Sequence, residues 1–141
     1  MNQPAPTDLV MTERVTATPE QVFDYLVDPD KLARWMGNAA DVDPTPGGRF
    51  QVTFRGKDIA RGNYVEVDRP NRVVFTWGWQ NSADVPPGST TVTFTLTADG
   101  DETLIELCHA GLPLGPEDEH QTGWTYCFGR LTEVFGHQTK E

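Results

Sequence analysis

Residues 116–136 read PEDEHQTGWTYCFGRLTEVFG, the one long run of this chain with clear helical periodicity. Trp124, Cys127, Phe128, Leu131, Val134 and Phe135 recur at spacings of three and four, which gathers them on one helix face. Thr125, Arg130, Thr132 and Glu133 fall between them. Gly115-Pro116 opens the run, and proline costs nothing at the first helical position. Glu117, Asp118 and Glu119 then set negative charge against the positive end of the helix dipole. Gly136 supplies a stop. A stripe built of Trp, Phe and Leu has to be covered by something broad. Most of the preceding chain reads as strands, so the expected cover is a curved sheet.

Composition bounds the rest. A chain of 141 residues is expected to make one domain, here residues 8–136, with tails at 1–7 and 137–141. Its 21 acidic and 11 basic residues leave a net charge of −10, and no Lys/Arg cluster occurs. Neutralising phosphates needs such a cluster, so neither nucleic acid nor an anionic membrane is expected as a partner. The start, MNQPAPTDLVM, has neither a basic segment nor an apolar core of signal-peptide type, and no apolar run is long enough to span a bilayer. Cys108 and Cys127 read as reduced, small hydrophobic side chains of a cytoplasmic protein; a disulfide between them is the alternative.

Leu9, Met11 and Val15 begin a first strand. Thr18-Pro19-Glu20-Gln21 is a capping box with proline at the first helical position, and the helix it opens carries Val22, Phe23, Leu26 and Val27 inward. Asp28-Pro29 caps a second short helix with Leu32, Trp35 and Met36, and Gly37 ends it. Beyond the turn at 43–48, Phe50, Val52 and Phe54 alternate with polar residues. Ile59 to Val67 is another strand, and Val73, Phe75, Trp77 and Trp79 share a face of the next. After a loop from Asn81 to Ser89, Val92, Phe94 and Leu96 alternate with threonines, and Ile105, Leu107 and His109 line a last strand. The order is β-α-α, about six hairpin-joined strands, then the long helix. Consecutive hairpins imply antiparallel pairing. The fold class is therefore α+β.

Several spaced segments carry a family likeness: Thr18-Pro19-Glu20-Gln21-Val22-Phe23, Leu32-Ala33-Arg34-Trp35, Pro46-Gly47-Gly48-Arg49-Phe50, Gly62-Asn63-Tyr64-Val65-Glu66-Val67, Val74-Phe75-Thr76-Trp77, His109-Ala110-Gly111-Leu112 and Gly123-Trp124. Together they resemble the activator of heat-shock protein 90 ATPase homologue-like family of the START-like, or Bet v 1-like, superfamily (SRPBCC). The resemblance implies a helix-grip fold, in which an antiparallel sheet wraps a long C-terminal helix and leaves a cavity between them. Bacterial members of this type have diverse or unassigned roles. The chaperone activator itself carries an additional N-terminal domain that this sequence does not show.

Within that expectation, Trp77, Trp124, His109, Phe75 and Phe128 are candidates to line a ligand cavity, with Trp35 near its entrance. Large rings are most often core, so both uses stand side by side. His109 on the inward face, and His120 one turn before Trp124, can hydrogen-bond a ligand or serve as structural groups. Neighbouring helical residues diverge, so Glu117, Asp118, Glu119 and His120 do not form a metal motif. No nucleophile elbow, P-loop or dinucleotide fingerprint occurs, and no catalytic residue, metal or cofactor is expected. The leading expectation is a non-catalytic binder of a small hydrophobic or aromatic molecule, as monomer or homodimer. The alternatives are a protein-interaction module, such as a chaperone cofactor, and an enzyme of polyketide cyclase or hydrolase type.

Overall fold

Alternation of buried and exposed side chains along each strand builds the sheet. In the computed structural model, which describes residues 8–113 and 116–135, the chain runs β1 (Leu9–Val15), α1 (Pro19–Val27), α2 (Pro29–Leu32), β2 (Ala39–Val42) and β3 (Arg49–Phe54). It continues through β4 (Asp58–Asp68), β5 (Arg72–Trp77), β6 (Thr90–Asp99) and β7 (Glu102–Ala110) to α3 (Pro116–Val134). The strands form one sheet in the order β1-β7-β6-β5-β4-β3-β2, every neighbouring pair antiparallel. The expected tails, Gly115 and the Gly136 stop lie outside the described residues.

The helix-grip architecture expected from the sequence is the one observed. The sheet has seven strands, one before the short helices and six after them, as the expected order has it; β2, four residues with no fully buried side chain, is the one whose place the sequence pattern does not mark. A bulge between Tyr64 and Glu66 in β4 bends the sheet, as an extra residue on one strand does. The expected capping box is present: Thr18 Oγ1 accepts from the Gln21 amide at 3.2 Å, and Gln21 Oε1 accepts from the Thr18 amide at 2.9 Å. Asp28 caps α2 by accepting from the Lys31 amide.

On α3, Trp124, Cys127, Phe128 and Leu131 are buried, as their spacing requires. Val134, read as part of the same stripe, is exposed, and Phe135 is only half-buried. Val134 sits at the stripe's edge on the final turn, where less of the protein covers the helix. Tyr25, not assigned inward in advance, is buried and meets Phe135 edge-on at 4.9 Å.

Polar ties join α1 to the sheet, and the segment after α2 to both α1 and α3. Tyr64 OH donates to Leu26 O at 3.0 Å, and Trp35 Nε1 donates to Tyr25 O at 2.8 Å. Arg130 donates to Gly37 O at 2.8 Å and to Ala33 O at 3.3 Å. Gly37 has φ +73° and a Cβ there would lie 2.5 Å from Thr53 O, so only glycine fits.

Candidate functional site

A half-open cleft of about 490 Å³ lies between the sheet and the first half of α3. Phe54, Arg55 and Asp58 come from the β3–β4 hairpin tip, Trp77 from the end of β5, and Trp79 from just beyond it. Glu119, His120, Gly123, Trp124 and Cys127 complete the wall from α3.

Local rules bring these pieces together. Phe54, Arg55, Gly56 and Lys57 form a tight turn in which Lys57 N donates to Phe54 O at 3.0 Å. Arg55 and Gly56 both have positive φ, 58° and 72°, which suits glycine and strains an arginine. Past β5, Gly78 lets two segments touch: a Cβ there would stand 1.7 Å from Pro86 O. That approach leaves Trp79 bridged to Ala60 and its amide donating to Val85 O at 2.7 Å, so both Trp77 and Trp79 reach the cleft. Gly123 is exposed within α3, and a Cβ built on it meets no atom within 4 Å. An interior helical glycine costs about 1 kcal/mol relative to alanine, so α3 is kept weaker and more open at the cleft.

Beneath the wall runs a chain of hydrogen bonds. Trp124 Nε1 donates to His109 Nδ1 at 3.0 Å. An accepting Nδ1 leaves the proton of the neutral ring on Nε2, which donates to Thr90 Oγ1 at 2.8 Å. The Thr90 hydroxyl in turn donates to Trp77 O at 2.8 Å. Burial, with the nearby His120 as the lesser cause, holds the pKa of His109 down to about 3. His120, nearly buried, accepts from Trp79 Nε1 at 2.9 Å, and its ring stands 5.2 Å from that of His109. Each imidazole thus orients a tryptophan of the wall. Trp77 Nε1 is buried and has no acceptor among the described residues. Burial pushes the Cys127 thiol up to about 11, so it stays protonated near neutral pH. Both cysteines are free, Cys108 being half-buried on the strand face opposite His109.

Of the residues singled out from sequence, the cleft brings together Trp77 and Trp124. His109 lies behind Trp124, fully buried, and orients it without lining the wall. Phe75 belongs to the core under the cleft, stacked on Phe50 at 3.9 Å. Trp35 does not stand at the entrance: it is fully buried, stacked on Phe128 at 6.1 Å and edge-on to Phe94 at 5.8 Å. Its anchor on Tyr25 O draws it under α1. Phe128 packs in that same cluster. His120, weighed from sequence as a ligand-bonding or structural group, is in the wall, whereas sequence reading missed Phe54, Arg55, Asp58, Trp79, Glu119, Gly123 and Cys127 as wall residues. An X-Gly turn after an alternating strand was visible at Arg55-Gly56, but not what its tip would face. Among the described residues, no three His, Cys, Asp or Glu side chains are grouped as a metal site. No helix of the described residues is long and apolar enough to cross a membrane.

A curved antiparallel sheet closed on a C-terminal helix, with an aromatic cleft between them, defines a helix-grip protein of the START-like class. The model of one family, Activator of Hsp90 ATPase homolog 1-like protein, matches residues 16–136, and the chain belongs to that family. Among solved structures, PFC0360w, an HSP90 activator from Plasmodium falciparum, is 25% identical with a TM-score of 0.78, over 94% of this chain and 99% of that one. CalU16 from Micromonospora echinospora is 25% identical with a TM-score of 0.75, over 91% and 75%. Protein MLL2253 from Mesorhizobium loti, at 20% identity, shares the fold with a TM-score of 0.81 over 91% and 96%. A comparison with curated sequences finds no match.

Proposed function

We propose that this protein binds a small hydrophobic or aromatic molecule in the cleft between sheet and α3, without catalysing its conversion. The observation that carries this reading is the cleft itself: about 490 Å³, walled by Phe54, Trp77, Trp79 and Trp124. Its size and apolar character suit a small ligand. The glycine at 123 and the unpartnered Trp77 N–H add to it, since both forgo stability that a closed wall would keep. Two of the titratable groups nearby serve structure: His109 is spent on Trp124 and Thr90, and the Cys127 thiol is held neutral. The two free cysteines accord with a cytoplasmic location.

Three tryptophans in the wall make binding visible. A bound apolar ligand is expected to quench indole fluorescence and raise the melting temperature by mass action. Gly123→Leu, which adds bulk where the wall is open, is expected to abolish both effects while the protein stays folded. A broad screen of lipids, flavonoids and polyketides that changes neither signal would remove the binding role.

Family membership favours one second reading, an interaction with Hsp90 of the kind named for the Plasmodium protein. Stimulation of Hsp90 ATPase turnover by the purified chain would put that reading first.

A further inference from the structure

We propose that the cleft selects an organic cation, an aromatic molecule bearing a protonated amine or a quaternary ammonium group. This rests on the ligand-binding reading and specifies the charge of the ligand.

The first observation is the continuity of the aromatic wall. Ring centroids lie 5.2 Å apart for Trp77 and Trp124, 5.4 Å for Trp77 and Trp79, and 5.3 Å for Phe54 and Trp79. Aromatic faces are negative, and tryptophan attracts a cation within about 6 Å more strongly than phenylalanine or tyrosine does. Four rings from the hairpin, the end of the sheet and the helix therefore line the cleft, and a ligand there lies against aromatic surface supplied chiefly by the half-buried Phe54 and Trp79, with Trp77 and Trp124 buried behind them.

The second observation is the charge on the rim. Asp58 and Glu119 set two carboxylates against the single guanidinium of Arg55. All three are exposed, and none has an ion-pair partner among the described residues. Elsewhere Glu20, Asp24, Asp41, Glu66 and Asp99 are each matched to an arginine. His120, also in the wall, uses Nε2 to accept from Trp79. The N-terminus of α3 contributes about half a positive charge, outweighed by Asp118 and Glu119, which are both exposed in its first turn. Rim and helix start together are negative, on a molecule of net charge −10. That field concentrates cations and repels anions. An anionic ligand would find one guanidinium in the wall, Arg55, with two carboxylates beside it; Lys57 of the same turn is exposed outside the wall.

Three probes of matched shape test the inference on the intact chain by calorimetry: 2-naphthylmethylammonium, 2-naphthylmethanol and 2-naphthoate. The cation is expected to bind about tenfold more tightly than the anion, with the neutral alcohol between them. High ionic strength should narrow that gap. Asp58→Asn with Glu119→Gln should erase the preference. Asp101→Asn with Glu106→Gln, the same charge change at exposed positions outside the cleft, should leave it intact. Equal or tighter binding of the alcohol or the naphthoate overturns the charge selection and leaves the binding reading standing. Failure of all three probes to bind overturns both.

Discussion

Two nitrogens of one imidazole show how tightly single residues are specified here. His109 accepts from Trp124 on Nδ1 and donates to Thr90 from Nε2, so an added proton would break the bond to Trp124. Its pKa stands at about 3 in the folded chain against an ordinary value of 6.5. Between those values the unfolded chain holds the extra proton, so this contribution is fully present above about pH 6.5 and is lost as pH falls toward 3. The slope approaches about 1.4 kcal/mol per pH unit. Between pH 7 and 5, where most carboxylates remain ionised, the denaturation midpoint is expected to fall, and to fall less for His109→Gln. Imidazole nitrogen shifts should report an Nε2–H ring that does not titrate in that range. Titration of His109 near pH 6.5 in the folded protein would show that this hydrogen-bond chain does not hold. Thr90→Val, which removes the link between His109 and Trp77 O, is expected to cost about 1–3 kcal/mol by leaving buried polar groups unpaired.

At the scale of elements, α3 carries the heaviest burden. Phe128 lies between Trp35 and Phe94, and Phe128→Ala is expected to cost roughly 3–5 kcal/mol in chemical denaturation. An unchanged midpoint would mean that α3 is not the core element. Gly123→Ala should act in the opposite direction and raise stability by up to about 1 kcal/mol, because it replaces an exposed helical glycine. The contrast separates the two faces of one helix, the first committed to packing and the second left open to the cleft. Both helix starts before the sheet were legible because a capping box and an Asx-Pro cap are local chemistry. β2 was not, because four residues in which only Ala40 and Val42 are half-buried carry too little alternation to mark a strand.

For the whole molecule, one connected cluster of buried side chains spans every element except β2, whose Ala40 and Val42 pack on it half-buried. Unfolding is expected to be a single cooperative event, with coincident fluorescence and far-ultraviolet dichroism midpoints. Separate midpoints would mean that α1 and α2 open independently of the sheet. The pairing of β1 with β7, Leu9 against His109, joins the first strand to the last. The core therefore closes only after a long loop is formed.

Much of the architecture is determined by the sequence alone, because hydrophobic periodicity, caps and turn residues act over a few positions. The strand faces of Phe50-Val52, Val73-Phe75-Trp77, Val92-Phe94-Leu96 and Ile105-Leu107-His109 are all buried as their alternation requires. The stripe Trp124-Cys127-Phe128-Leu131 is likewise where helical spacing puts it. Alternation decides which side of the sheet a residue occupies, but not how far along the groove it lies. Only the tertiary structure decided that Trp77 and Trp124 wall the cleft while Trp35 and Phe128 fill the core. The same holds for Arg55 and Asp58 at the β3–β4 hairpin tip, whose place in one wall with Glu119 and His120 is decided by the tertiary arrangement.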